Sequence, residues 1–368
     1  MILSMIVLCS FANIGVNRSS QSSLDMEEFL EKTVSYWRSL DNFEELVIVY
    51  GNESCDLDSA VSALVYASFL FWQYNKMKQR KSNKEQPNEN CDDKIFVPIL
   101  NVNREDFDLK TEVLFCLSQF GINAEKLIFR NDKDLEVIIS TKKVSVVLVD
   151  HHILAHRDEY LVSYVTEIID HRPIDQKGWK YKENIGRIIQ IVGSCATLIC
   201  CKIKELATDD ATKYFEMFPE SAALLHSTII LDTVNFSKEV NKATPLDHEA
   251  VLFLESIIKP SSYESYREEK LKMLVEARKD VSKLDAGQLL KKDVKIVGKI
   301  IAPTLPIPVK EFLNRPDAEE AMLENLIHNQ GMFLVLIGMK LDDDIIIRDL
   351  AVFSHSDNKH YAVQVCFV

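Results

Sequence analysis

LVIVYGNESCDLDSAVSALVYASFLFW, residues 46–72, reads as a strand, a loop and a helix in immediate succession. Leu46 to Tyr50 is a short unbroken apolar run, rich in β-branched residues, of the kind buried on both faces of a parallel sheet. Val61, Leu64, Val65, Phe69 and Trp72 recur at helical spacing across Ser59 to Trp72. Gly51 to Asp58 is therefore a loop at the C-terminal end of a strand, which is where open parallel sheets place their ligands.

Outward from this unit, the stretch from Asp25, DMEEFLEKTVSYWRSL, has an N-capping Asp and apolar Leu30, Val34 and Trp37 on one helix face. Beyond it, residues 75–94 hold almost nothing apolar except Met77, and their charge runs from basic to acidic, which predicts an exposed loop. Further strands are expected at Lys94–Leu100, Lys126–Phe129, Val144–Asp150, Val165–Asp170 and Arg187–Gly193, with helical patterns between several of them. That alternation predicts an α/β domain with a mainly parallel sheet flanked by helices. From Ser194 to about Arg278 the pattern is helical, and Leu284–Lys295 reads as a connector. Residues 25–280 then form one domain and residues 281–368 a smaller α/β domain. The second has strands at Lys295–Ala302, Met332–Lys340, Ile345–Ser354 and Tyr361–Val368 and a helix at Ala318–His328.

Length and composition narrow the function. At about 150 residues per domain, 368 residues suggest two domains, and 47% apolar with 27% charged residues is the balance of a folded globular chain. Lys plus Arg number 43 against 56 Asp plus Glu, a net charge of −13, which argues against a nucleic-acid partner. Eight cysteines show no CxxC pair and no regular spacing, so free thiols in a reducing compartment, the cytoplasm, are expected. No apolar window is long enough for a membrane-spanning helix. The apolar start MILSMIVLCSFA has no basic residue before it, the first being Arg18, so residues 1–24 read as an extension outside the fold.

Three acidic clusters fall at expected strand ends. Asp56 and Asp58, two apart, project to one side of an extended loop. Asp150, His151 and His152 end the strand VLV, and Asp170, His171 and Arg172 follow VTEII. Four of the nine histidines lie between residues 151 and 171. Asp232 continues the helical face of Leu225 and Ile229. A buried carboxylate costs several kcal/mol unless a cation, a metal or a pKa shift compensates it. Carboxylate-rich sites with one or two imidazoles suit Mn²⁺ or Mg²⁺, and four or more carboxylates can hold two ions about 3.5–4 Å apart, an arrangement that hydrolyses phosphate esters and anhydrides. Each feature alone has a plainer reading: Asp-x-Asp as a turn or cap, Asp232 as a paired structural acid, and Ser194 as an ordinary helix cap.

In this order the residues resemble the DHH phosphoesterase superfamily, in the branch of prune proteins and cytosolic exopolyphosphatases, which is related to the family II inorganic pyrophosphatases. GNESCDLDS, VDHHIL, DHRP, VGSCATL, TIILDTVN and NKATPLD carry the likeness, which covers about Met26 to Phe353. It implies an N-terminal DHH domain, a C-terminal DHH-associated domain, and an active site in the cleft between them. It also implies two divalent ions, Mg²⁺ or Mn²⁺, held by Asp56, Asp58, Asp150, His171 and Asp232, with Asp150 as the bridge. Asn52 stands where the pyrophosphatases have a histidine ligand, and its amide oxygen would favour Mg²⁺. Arg172 replaces a second histidine and would grip a phosphate oxygen. His151 and His152 would support the ligands or transfer protons, and Ser194, Lys242, Arg278 and Lys279 would contact phosphate. The implied reaction is in-line attack by a metal-bridging hydroxide on a terminal phosphorus of short-chain inorganic polyphosphate. Hydrolysis of cyclic AMP, or regulation of a nucleoside diphosphate kinase partner, are the alternatives. A RecJ-like nuclease would want a glycine-rich motif, and this acidic chain has no adjacent glycine pair. The basic Ser-Arg-Lys segment of the pyrophosphatases has no counterpart in the terminal YAVQVCFV.

Overall fold

In the computed structural model, which describes residues 25–82, 94–207, 210–342 and 345–354, six parallel strands make the first sheet. They are β1 (Glu45–Tyr50), β2 (Lys94–Leu100), β3 (Ile128–Phe129), β4 (Lys143–Val149), β5 (Val165–Asp170) and β6 (Gly186–Ile189), in the order β3-β2-β1-β4-β5-β6. The chain winds outward from β1 to β3 and then crosses back to β4. The connections after β1 and β4 therefore leave the sheet in opposite directions, and a crevice opens between them.

Helices α1 (Met26–Arg38), α2 (Leu57–Ser82), α3 (Thr111–Ser118) and α4 (Leu135–Thr141) come from this half. Asp25 caps α1 as expected, accepting from the Glu28 N–H at 2.9 Å. Val47 and Val49 of β1 join the core built by α2, while Leu46, Ile48 and Tyr50 face Leu135, Ile138 and Ile139 of α4. Both faces of the strand are covered, which is why its sequence is continuously apolar rather than alternating.

The expected helical stretch resolves into α5 (Cys195–Ala207), α6 (Ala211–Met217), α7 (Pro219–Asp232), α8 (Pro245–Ile258) and α9 (Tyr263–Lys279). Pro219 and Pro245 open their helices, where a missing N–H costs nothing. Next come α10 (Ala286–Lys292), the strands β7 (Val294–Val297) and β8 (Ile300–Leu305), α11 (Val309–Leu313), α12 (Ala318–His328), β9 (Phe333–Asp342) and β10 (Ile345–Ser354). The second sheet has the order β10-β9-β8-β7, antiparallel at both outer pairs and parallel in the middle, over its own core of Leu289, Ile301, Phe312 and Leu334. The molecule is thus α/β throughout, with a mainly parallel sheet first and a smaller sheet after it.

Three expectations need correction. Residues 75–82 of the expected exposed loop extend α2, because Lys76, Lys78 and Arg80 are good helix formers even without an apolar stripe, and Lys76 sits 4.7 Å above the Trp72 ring while pairing with Asp210. The expected connector contains α10, started by a capping box between Asp285 and Gln288. The single strand expected at Lys295–Ala302 is a hairpin of β7 and β8 that turns at Gly298, whose φ of +60° a glycine adopts without strain. The extension at residues 1–24, residues 83–93 of the loop and the strand expected at Tyr361–Val368 lie outside the described residues. Among the described residues no helix is long and apolar enough to cross a membrane, and Cys55, Cys116, Cys195, Cys200 and Cys201 are free thiols.

Candidate metal centre

The loop after β1 is shaped by close packing. A Cβ on Gly51 would lie 2.4 Å from Ser59 Oγ, and the same hydroxyl accepts from the Asn52 N–H at 2.7 Å. Asp56 caps α2 through Oδ1, which accepts from the Ser59 N–H at 3.1 Å, so the plainer reading of Asp-x-Asp holds for one oxygen of this carboxylate. Asp58, two residues on, is buried. Its carboxylate accepts from Ser194 Oγ at 2.9 Å, the Cys195 N–H at 2.7 Å and the Ala196 N–H at 2.8 Å. It therefore sits on the N-terminus of α5, where backbone donors and the helix dipole favour an anion.

Asp150 follows β4 with a φ of +62°, a left-handed conformation that aspartate tolerates better than most residues. Asn52 Nδ2 donates to its carbonyl at 3.1 Å and to its Oδ2, and Arg172 Nη1 donates to its Oδ1 at 2.8 Å. From the end of β5, His171 donates through Nδ1 to the Val192 carbonyl at 3.1 Å. Its other nitrogen, Nε2, lies 3.3 Å from Asp150 Oδ1 and 3.7 Å from Asp58 Oδ2. One donor atom from each of Asp58, Asp150 and His171 falls within 4.8 Å of the other two, an arrangement able to hold a metal ion.

The electrostatics point the same way. Burial, then the charges of Asp58 and Asp56, raise the Asp150 carboxyl to about 7 against the pull of His171 and Arg172. Burial alone would lower the His171 imidazole, yet Asp150 and Asp58 overcome it and hold the group at about 9. Asp232, the last residue of α7, is raised well above the ordinary carboxylate range by burial and by Asp58 and Asp56. Its Oδ2 is buried without a hydrogen-bond partner, and Lys242 Nζ stands 4.0 Å from its Oδ1. Packed carboxylates, an orphaned carboxylate oxygen and an imidazole nitrogen turned toward them fit one or more hard divalent cations.

Several expected roles look different in three dimensions. Asn52 turns its amide oxygen away from the centre, to the Ser54 N–H at 2.9 Å and the Cys55 N–H at 3.3 Å. It holds Asp150 through Nδ2 instead, so the Mg²⁺ preference argued from a ligating amide oxygen loses its basis. Ser194 is fully buried with its hydroxyl committed to Asp58, which leaves it no phosphate to contact. His152 accepts from the Asp175 N–H at Nε2 (2.9 Å) and gives its Nδ1 proton to Asp170, so it has no free nitrogen for proton transfer. His151 donates from Nδ1 to the Val149 carbonyl at 3.0 Å, and burial lowers its pKa; its Nε2 is buried and unpartnered. Among the described residues, Arg278 pairs with Glu112 at 3.4 Å rather than with the acidic cluster, and Lys279 is exposed at the end of α9.

Asp247 and Gly193 escaped the sequence reading as site residues. Asp247 is fully buried and accepts from the Gly193 N–H at 2.9 and 3.1 Å, from Thr197 Oγ1 at 2.6 Å, and from the Thr244 N–H and Oγ1 at 2.7 Å. It ties the start of α8 to the turn that holds Asp58. The Thr244–Asp247 capping box within NKATPLD marks that helix start in the sequence, but nothing there marks the bond to Gly193. A Cβ on Gly193 would lie 2.5 Å from Thr233 Cγ2 and 3.0 Å from Asp247 Oδ2. Gly193→Ala should therefore cost about 2 kcal/mol of stability by overpacking, measured as a lowered denaturant midpoint at unchanged slope. An unchanged midpoint would show that this junction yields.

Residues 46–229 match the DHH family, N-terminal domain. "Exopolyphosphatase PRUNE1" of Mus musculus is 36% identical over 335 residues, which are 89% of this chain and 66% of that protein. The "Putative exopolyphosphatase" of Schizosaccharomyces pombe is 30% identical over 255 residues, 67% of this chain and 59% of that one. The chain spans about two thirds or less of the length of these curated relatives. Among solved structures, a putative family II inorganic pyrophosphatase of Methanococcus jannaschii is 23% identical, covers 87% of this chain and 92% of its own, and has a TM-score of 0.48.

Proposed function

The chain belongs to the DHH family, and from that membership we propose that it is a metal-dependent phosphohydrolase, an exopolyphosphatase acting on short-chain inorganic polyphosphate. The observation that carries this reading is the meeting of Asp58, Asp150 and His171 within 4.8 Å at the crevice of a parallel sheet, with Arg172 bonded to the same Asp150. The names of the curated relatives support the choice of substrate.

Asp56, Asp58, Asp150, His171 and Asp232 would hold two divalent ions, Mg²⁺ or Mn²⁺. Such ions supply Lewis-acid neutralisation of phosphoryl charge and lower the pKa of water. The chain's own groups do the remaining work. The Val192 carbonyl fixes the His171 tautomer, so that Nε2 faces the carboxylates. Asn52 and the α5 N-terminus orient Asp150 and Asp58. Among the described residues every side-chain bond of Arg172 runs from Nη1, to Asp150 and Asp170, which leaves the rest of its planar fork for phosphoryl oxygens. Lys242, 42% exposed beside Asp232, adds a cation at the rim. His151 lines the same pocket as Arg172, but its Nε2 is buried there without a partner. The second unit, from about residue 281, lines the larger neighbouring cleft through Gly287, Lys291 and Glu324 and would close over the substrate from that side.

The test is phosphate release from tripolyphosphate, tetrapolyphosphate, pyrophosphate and cyclic AMP in parallel, with Mg²⁺, with Mn²⁺ and with chelator. Release from the two short polyphosphates that chelator abolishes is expected. Release from cyclic AMP alone would move the substrate to the phosphodiesters. Silence on all four with metal bound would overturn the hydrolase reading.

A further inference from the structure

A cleft of about 780 Å³ lies between the two units, with Lys110, Arg130 and Arg157 on the side of the first sheet. It shares the wall made by Glu53 and Asn101 with a smaller pocket, about 330 Å³, that contains His151 and Arg172. Whatever is attached to a reacting phosphoryl group at Arg172 has this cleft as its neighbouring space.

Behind the shared wall is a buried polar network, separate from the residues of the metal centre. Tyr50 OH donates to Asn101 Oδ1 at 2.8 Å, and Arg130 Nη1 donates to the same oxygen at 3.3 Å. Arg130 Nη2 donates to Asp158 Oδ1 at 3.1 Å, and Arg157 Nε stands 3.8 Å from the other oxygen of that carboxylate. Tyr50 and Asp158 are fully buried and Asn101 nearly so, whereas the Arg130 side chain is 16% and that of Arg157 51% exposed. One buried carboxylate requires one cation. Here two guanidinium groups flank it, and the second stands half-exposed at the cleft.

The surrounding charges set the polarity of the cleft. Arg157 also meets Glu53 at 3.4 Å, but both partners are more than half exposed, so an incoming anion displaces that pair at little cost. Lys110, bonded to the Ser54 carbonyl, adds a cation on the same side. The acids Glu105, Asp106 and Glu324 also line the cleft, and Lys291 offsets Asp106 at 3.5 Å. Counting Glu53, four acids and four bases line the cleft, and the two guanidinium groups contact the wall shared with the Arg172 pocket, Arg130 through Asn101 and Arg157 through Glu53. Arginine held by a buried framework loses little freedom on binding, and its planar fork matches phosphoryl oxygens.

We propose that Arg130 and Arg157 form a phosphoryl-binding subsite, which holds the phosphoryl group next to the one being cleaved. The identity of its ligand rests on the phosphohydrolase reading.

Two variants test it: Arg157→Gln, and Arg130→Gln combined with Asp158→Asn, so that no buried charge is left alone. Turnover of tripolyphosphate is compared with that of p-nitrophenyl phosphate, which carries a single phosphoryl group, and tripolyphosphate binding is measured by calorimetry in chelator. In each variant the KM for tripolyphosphate should rise about tenfold, the factor for one lost charge-assisted contact, with kcat and the p-nitrophenyl phosphate constants within about twofold of wild type. Binding of tripolyphosphate should weaken by the same factor. Unchanged tripolyphosphate constants would overturn the subsite while leaving the hydrolase reading intact, and equal losses on both substrates would overturn it in favour of a structural role. If the wild type hydrolyses neither compound, binding alone decides: tripolyphosphate binding that depends on Arg157 supports the subsite, and binding indifferent to Arg157 overturns it.

Discussion

Asp150→Asn is expected to reduce metal-dependent phosphate release by about 10³-fold or more, the rate equivalent of about 4 kcal/mol, while the chain stays folded. Asp150 is where the three nearest elements of the centre converge. Asn52 from the β1 loop and Arg172 from the end of β5 both bond to it, and His171 Nε2 lies 3.3 Å from its Oδ1. Asparagine keeps the shape and tolerates the φ of +62°, so the backbone loses nothing. It also removes a negative charge that Asp58 and Asp56 oppose. One amide N–H then faces a donor, at a cost of about 1–2 kcal/mol that relief of the repulsion offsets in part. The thermal transition of the metal-free variant should accordingly stay close to that of wild type, whereas stabilisation by added Mn²⁺ should disappear. Full activity in Asp150→Asn would remove Asp150 from the centre. Loss of the cooperative transition would show that its role is structural.

Arg172→Met is the second large effect, and it separates substrate binding from metal binding. Removing one preorganised cation from developing phosphoryl charge should lower kcat/KM by about 10²- to 10³-fold. Arg172 also supports Asp150, so metal affinity should fall as well, but by about tenfold, as for loss of a group that only orients a ligand. Methionine preserves much of the side-chain length and is adaptable in packing, and the arginine side chain is 45% exposed, so little stability is at stake. Equal losses of metal affinity and turnover would reduce Arg172 to a prop for Asp150. Unchanged turnover would exclude it from the reaction.

The legible features were those written in short-range pattern. Leu46–Tyr50 and Val146–Val149 announce buried strands by their unbroken apolar runs, and the acids that follow them announce the crevice, because loops at strand ends follow from connectivity alone. The features that were missed depend on contacts between distant segments. Nothing near Asn52 tells which way its amide turns; the N–H groups of Ser54 and Cys55 claim the oxygen only once the loop is folded. Ser194 reads as a helix cap or a phosphate contact, yet Asp58, far away in sequence, takes its hydroxyl and the first N–H groups of α5 together. The two nitrogens of His152 are taken by Asp170 and by the backbone of Asp175, and both bonds exist only after β4 and β5 pair. The polar end of α2 was invisible for a different reason: a helix surface turned to water and to Asp210 carries no apolar period to detect. DHH membership follows from residues spread across the whole first sheet, but the division of labour among them could be read only from the fold.

We propose that Asp58, Asp150 and His171, with Asp56 and Asp232, form a metal centre. Its most direct test is an equilibrium count of Mn²⁺ bound per chain, followed by electron paramagnetic resonance, on wild type and Asp150→Asn. Two Mn²⁺ per wild-type chain with the spectrum of a spin-coupled pair are expected, and that coupled pair should be lost in Asp150→Asn. No bound Mn²⁺ in the wild type, or a count and spectrum unaltered by the substitution, would contradict it.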